Sequence, residues 1–435
     1  MSVRGRRELD ATAIGVVPSG PLSGVVRAPA SKSVTNRLLV IAALADGASA
    51  LTAPLDSDDS RAMRGCIAAL GAEVSATDDT WKITGTAGMP RAPSGPLDAR
   101  LSGTTARFVT ALLALTTGGG VVDGQGPLRR RPVGPLVDAL AGLGAAARAS
   151  DGGLPVAVSG GGLEGGEVHV DVSGSSQFAS ALLMVAPYAR GDVRCVVYGR
   201  SADAYIALTA DLMAGWGADV ARDGAAWRVR AGAGYRPRSV EVEYDASAAA
   251  HLFAMGIASG GAVTVPNATA GSRQPDARLP EVFARMGCDV RRDGTAVTVR
   301  AGGRLRPVDV SLAAMPDQVT TMAALAALAP GTSVLRDVGV ARLHETDRLA
   351  ALATELGKVG VAVDAQPDAL VVHGGTARGP ARLETYDDHR LAMAFAALGA
   401  AVADLVIADP GCVAKTYPEF WQDVARLGAR WEERP

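Results

Sequence analysis

Aromatic residues are scarce, at 4% of the chain, so Ala, Val and Leu have to fill any interior. The four cysteines, Cys66, Cys195, Cys288 and Cys412, lie far apart, with no C-x-x-C pair and no histidine at ligand spacing. That spacing argues against a zinc site and reads as free thiols in a reducing compartment, the cytoplasm. Net charge is also lacking: 43 basic against 45 acidic residues leave −2, so no overall field draws the chain to nucleic acid or an anionic membrane. Anion binding, if present, has to be local. No stretch reaches membrane-spanning length without Gly or polar interruption, and Met1 to Val17 has arginines but no apolar signal-peptide core. Lysine is the rarer cation, found only at Lys32, Lys82, Lys358 and Lys415. A lysine kept in so arginine-biased a sequence marks a place for a compact point charge.

What the chain does have is repetition. A helical apolar stretch runs into Gly, a small residue and then a β-branched run at Leu70-Gly71-Ala72, Leu143-Gly144-Ala145, Trp216-Gly217-Ala218, Met286-Gly287-Cys288, Val359-Gly360-Val361 and Leu427-Gly428-Ala429. The spacing is about 70 residues, a fixed period of the kind that marks internal repeats. Each phrase predicts a helix stopped by Gly at positive φ and followed at once by a strand, so each repeat is an α/β unit. Segments such as Trp81–Thr84, Trp227–Arg230 and Ala296–Arg300 alternate as half-buried strands do. Ser176 to Ala186 and Gln318 to Ala329 read as Ala/Leu-rich amphipathic helices. At 435 residues, six units predict two domains of three repeats each, with ligands in a cleft between them.

Hydroxyl, amide and cationic groups gather at helix starts. Ser31-Lys32-Ser33 opens a helix running to about Ala45, where unpaired backbone N–H groups and Lys32 favour an anion, and Arg37 follows one turn on. Ser31 or Ser33 acting only as an N-cap is the plainer alternative. Gly103 in Ser102-Gly103-Thr104 lets a ligand approach the backbone, unless the segment is simply a cap. In Arg129-Arg130-Arg131-Pro132 the three cations repel unless an anion sits among them, and a solvated loop accounts for two of the three. Ser175-Ser176-Gln177 offers uncharged donors to phosphate or hydroxyl oxygens, or again a cap. His344-Glu345-Thr346-Asp347-Arg348 places acid, base and guanidinium within one helical turn; Tyr386-Asp387-Asp388-His389-Arg390 and Ala414-Lys415-Thr416 repeat the theme. A charge cluster is usually a solvated helix face, but recurrence once per repeat near helix starts goes beyond what such a face requires.

These phrases, with Leu55-Asp56-Ser57-Asp58-Asp59, occur in the order found in the enolpyruvyl transferase family, and the chain most resembles its 5-enolpyruvylshikimate-3-phosphate synthase branch. The resemblance spans nearly the whole chain. It implies a two-domain inside-out α/β barrel, each domain three βαβαββ repeats, with residues 1–29 plus 246–435 in one domain, 30–245 in the other and hinges near 28–31 and 243–247. It implies transfer of the enolpyruvyl group of phosphoenolpyruvate to the 5-hydroxyl of shikimate 3-phosphate with release of phosphate, needing no metal or cofactor, and a monomer. Lys32, Ser33, Arg37, Ser175, Ser176, Gln177, Tyr205, Asp317 and His344 then match shikimate 3-phosphate contacts. Lys32, Gly103, Arg131, Gln177, Arg348, Arg390 and Lys415 match phosphoenolpyruvate contacts, and arginine suits a ligand with both carboxylate and phosphate. Glu345 matches the acid that protonates the methylene carbon, Asp317 the base that takes the hydroxyl proton, and Lys32 is counted with them as catalytic. A carboxyl donor requires desolvation, since free Glu titrates near ~4.3.

Some positions depart from the family pattern. His344 stands where many relatives have Lys, which predicts a shikimate 3-phosphate affinity more sensitive to pH, lost in a His344→Lys variant. Val340 replaces a ring-contacting Asn, Ser201 lies one place off the usual serine, and Arg100 occupies a common Gly position. Two other readings are a UDP-N-acetylglucosamine enolpyruvyl transferase, which uses a loop cysteine where none lies between Cys66 and Cys195, and a silent binding homologue, which would not need both Glu345 and Asp317.

Overall fold

The computed structural model describes residues 11–77, 79–199 and 203–434. Met1 to Asp10 and Ser201 lie outside the described residues. The chain divides into two units, Met1–Pro29 with Tyr244–Pro435, and Ala30–Glu243. The return into the first unit comes two residues before the expected boundary at 245/246. Tyr244 is buried in that unit's core, and Asp245 caps its first long helix by accepting from Ala248 N–H.

Each unit holds three four-stranded sheets of one topology: a parallel edge pair, then two antiparallel partners. In the continuous unit Ser239–Glu241 pairs parallel with Ala48–Thr52, which pairs antiparallel with Thr80–Thr84, and that with Glu73–Ala76. The discontinuous unit borrows from the start of the chain. Ser23–Val25 forms the parallel edge beside Ala262–Val265, and Ala13–Val17 lies between Leu405–Ala408 and Arg430–Arg434.

Each repeat carries two helices. One is amphipathic and ends at the repeat glycine; Gly71, Gly144, Gly217, Gly287, Gly360 and Gly428 all have φ between 80° and 105°, where a Cβ is costly. The carbonyl just before each glycine accepts an N–H from the returning chain: Leu70 from Arg91, Leu143 from Glu164, Trp216 from Arg236, Met286 from Arg306, Val359 from Arg378 and Leu427 from Ser23. Four of these donors are arginines, whose charge suits a helix C-terminus.

The second helix of each repeat is interior. Residues 178–185 and 319–327 are buried on every side, so the expected amphipathic helices at 176–186 and 318–329 are corrected to core helices. Their Ala/Leu content fits both kinds, and only their place among the other interior helices decides. A separate apolar core fills each unit. Among the described residues no helix is long and apolar enough to cross a membrane.

Candidate active site

Most of the sequence-selected groups in Ala30–Glu243 sit at or just before the start of an interior helix or are buried within one; the arginine run and Tyr205 do not. Ser31 caps the helix Lys32–Leu44, so its hydroxyl is an N-cap acceptor from Val34 N–H. Lys32 follows it and pairs with the buried Asp59 at 3.2 Å. Arg37 points inward, only 2% exposed, and donates to Thr209 Oγ1 (2.7 Å), Ser33 O (3.0 Å), Ser180 Oγ (3.4 Å) and Tyr205 O. Burial brings its pKa down to about 10. Gly103 opens the next interior helix, Gly103–Leu115, behind the N-cap Ser102. A Cβ at Gly103 would lie 2.7 Å from Arg131 Nη1, so the bare backbone lets this guanidinium lie against the helix start. Of the arginine run, Arg129 and Arg130 are exposed, Arg129 pairing with Asp123, and Arg131 alone is partly buried.

Arg107 is the group that sequence reasoning missed. Buried on the Gly103 helix, it donates to Gln177 Oε1 (2.8 Å), Ser175 Oγ (3.3 Å) and Pro132 O (3.3 Å), drawing three candidate segments together. The only advance signal was its place in the Gly103 phrase. Ser176 precedes the helix Gln177–Val185, and Gln177 Nε2 also donates to Thr104 Oγ1 at 3.3 Å.

In the discontinuous unit the charged phrases meet around Arg348. Residues 344–347 are not on a helix as expected: Asp347 is the N-cap, and Arg348 is the first residue of Arg348–Lys358. The buried guanidinium donates to Asp388 from Nε (2.7 Å) and Nη2 (3.2 Å), to Asp317 Oδ1 from Nη1 (2.6 Å) and to Glu345 Oε2 from Nη2 (2.8 Å). Arg390 reaches Asp317 Oδ2 at 3.2 Å, and Lys415 reaches Glu345 Oε1 at 3.1 Å. Asp388, wholly buried, also caps the helix His389–Gly399 by accepting from Arg390 N–H at 2.9 Å. Three cations thus share Asp317 and Glu345.

Burial alone would push Asp317 up, but Arg390, His344 and Arg348 hold its carboxyl well below the usual range. Arg348 would be lowered by burial, yet Asp388, Glu345 and Asp317 outweigh that and raise it. His344 Nδ1 lies 2.9 Å from Arg348 Nη1 and 3.1 Å from Asp317 Oδ1, and burial lowers its pKa despite the pull of Asp317. His251, fully buried with Nδ1 3.2 Å from Thr321 Oγ1, is lowered further for the same reason. Both folded-state values lie below the unfolded ~6.5, so the unfolded chain takes up more protons and stability falls as pH drops through that value. The melting midpoint is expected to decline between pH 7 and 5, and less so in His251→Leu. A midpoint constant over that range would show that neither ring is held neutral.

Two departures gain a physical setting. Arg100 has φ +51°, held by its N–H donating to Asp98 Oδ1 at 2.7 Å, and a left-handed residue is where glycine is otherwise favoured. Val340, on the short turn Gly339–Leu343, has no side-chain group to donate or accept. The thiols are unsuited to catalysis: burial pushes Cys66 and Cys195 up to about 12 and Cys288 up to about 11. Among the described residues no group of three or more His, Cys, Asp or Glu side chains is gathered as a metal site would need.

A family profile described as EPSP synthase (3-phosphoshikimate 1-carboxyvinyltransferase) matches residues 16–424. The chain belongs to the EPSP synthase family. Relatives agree: it is 39% identical over 415 residues to the 3-phosphoshikimate 1-carboxyvinyltransferase of Methanosphaerula palustris, covering 94% of this chain and 98% of that protein. It is 40% identical over 414 residues to the enzyme of that name from Thiobacillus denitrificans, covering 93% and 97%. In fold it is similar to EPSP synthase from Acinetobacter baumannii, with a TM-score of 0.80, 22% identity and coverage of 97% and 99%. It is also similar to the enolpyruvyl transferase NikO from Streptomyces tendae, with a TM-score of 0.76, 20% identity and coverage of 98% and 100%. The chain is therefore a two-domain α/β enzyme of the shikimate pathway, and its reaction is enolpyruvyl transfer.

Proposed function

We propose that phosphoenolpyruvate is held by Lys32, Gly103, Arg131, Gln177, Arg348, Arg390 and Lys415. Shikimate 3-phosphate is held by Lys32, Ser33, Arg37, Ser175, Ser176, Gln177, Tyr205, Asp317 and His344. Glu345 donates a proton to the methylene carbon, the 5-hydroxyl attacks the cation so formed while Asp317 takes its proton, and the tetrahedral ketal then loses phosphate. The observation that supports this reading is the sharing of Asp317 and Glu345 by Arg348, Arg390 and Lys415. A ligand bearing carboxylate and phosphate competes for those cations, and drawing them away leaves both carboxylates freer to exchange protons. With His344 lowered by burial, the pH dependence of shikimate 3-phosphate affinity falls below pH 6.5 rather than near neutrality. All these groups come from one chain, in keeping with a monomer, and the free thiols suit the cytoplasm.

The test is phosphate release from phosphoenolpyruvate by the purified protein in EDTA, with and without shikimate 3-phosphate. Release that needs both substrates and is lost in Lys32→Ala supports the reading; release from phosphoenolpyruvate alone, or undiminished by that substitution, overturns it.

Gly103 and Arg131 also bear on inhibition by glyphosate, an anion read here as occupying the phosphoenolpyruvate set. Gly103→Ala forces the Arg131 guanidinium aside. It is expected to raise the Michaelis constant for phosphoenolpyruvate and to weaken glyphosate inhibition by about tenfold or more, a loss near ~1.4 kcal/mol. Wild-type turnover undiminished at millimolar glyphosate, with phosphoenolpyruvate near its Michaelis constant, would remove the basis for this.

A further inference from the structure

Glu355 lies on the helix that Arg348 begins, wholly buried, and no role in the reaction has been given to it. Its carboxylate accepts from Lys358 Nζ (2.6 Å), from the Glu384 backbone N–H (2.9 Å) and from the Tyr386 hydroxyl (2.7 Å). Lys358 Nζ donates in addition to Arg382 O at 3.2 Å. Glu355 and Lys358 therefore grip the segment from Arg382 to Tyr386 at three points.

The conformation of the next residues calls for such a grip. Tyr386 and Asp387 have φ of +54° and +57°, two consecutive non-glycine residues in the left-handed region. L-residues enter that region at a cost and persist there only where their surroundings over-determine them. The Tyr386 side chain is 43% exposed, so burial does not fix its ring; the hydroxyl bond to Glu355 does. Burial and Glu355 push that hydroxyl up to about 12, which keeps it a donor at any working pH. Directly after the turn comes Asp388, which receives two N–H groups of Arg348 and caps the helix carrying Arg390.

We propose that Glu355 and Tyr386 are positioning residues: they lock the Tyr386-Asp387 turn and so aim Asp388, and through it Arg348 and Arg390, for phosphoenolpyruvate. This rests on the assignment of those two arginines under Proposed function. The probe is steady-state kinetics of the full chain with both substrates varied, beside thermal melting. Tyr386→Phe removes one partly exposed hydroxyl. It is expected to raise the Michaelis constant for phosphoenolpyruvate about fivefold, the size of one lost hydrogen bond, with that for shikimate 3-phosphate within about twofold. The melting midpoint stays within a few degrees. Glu355→Leu combined with Tyr386→Phe is no worse for the phosphoenolpyruvate constant than Glu355→Leu alone, because leucine already removes the acceptor of that hydroxyl; if Glu355→Leu does not fold, Tyr386→Phe alone decides.

A lowered midpoint with both Michaelis constants unchanged would make the contact merely structural and overturn the clamp. Arg390→Lys separates the two levels. If it raises the phosphoenolpyruvate constant while Tyr386→Phe does not, only the clamp falls. If Arg390→Lys changes nothing, the arginine assignment falls and the clamp with it.

Discussion

Arg348→Met is expected to destabilise the protein by ~3–5 kcal/mol, because it leaves the wholly buried Asp388 without the guanidinium that satisfies both its oxygens. Methionine keeps most of the volume, so loss of packing is a minor part. The midpoint should fall by roughly 10 °C for a unit of this size. Arg348→Lys, which keeps a cation beside Asp388, should recover part of that loss; no recovery would point to packing instead. Turnover is lost as well, since the same side chain holds Asp317 and Glu345.

Glu345→Gln is expected to leave the fold intact and slow turnover on the order of 10³-fold, within the span removed with a general acid. The amide keeps an oxygen that can accept from Arg348 or Lys415, and the residue is 13% exposed, so little stability is at stake. Michaelis constants should change only a few fold. The decisive measurement is incorporation of solvent deuterium into the methylene group of phosphoenolpyruvate. If Glu345 delivers the proton, incorporation falls with turnover; incorporation that continues at the native rate would assign the proton to another group.

The repeat pattern was legible because one glycine per repeat has to stop a helix at positive φ, a local requirement that shows at Gly71 and at the five glycines like it. The polar groups at helix starts were legible for a similar reason, since Ser31 and Ser102 announce an N-cap within a few residues. Pairing across the chain was not. Arg348 and Asp388 are forty residues apart, and nothing near either names the other. Nor do the residues around Arg37 name Ser180 and Thr209, the hydroxyls its guanidinium meets from far along the chain. Interior helices looked amphipathic for the same reason: Ala and Leu serve a half-buried and a fully buried face equally well.

The placing of residues 13–25 also governs how this protein comes off the ribosome. Within 30–243 the strands find partners in the same continuous stretch, so that unit is complete early and can fold while synthesis continues. Ser23–Val25 has to wait for Ala262–Val265, and Ala13–Val17 for Leu405–Ala408 and Arg430–Arg434. Such distant partners make closure of the discontinuous unit the slower step. Ala13–Val17 is thus made long before its partners, and the half bearing Glu345 is finished only once Leu405–Ala408 and Arg430–Arg434 have emerged to flank it.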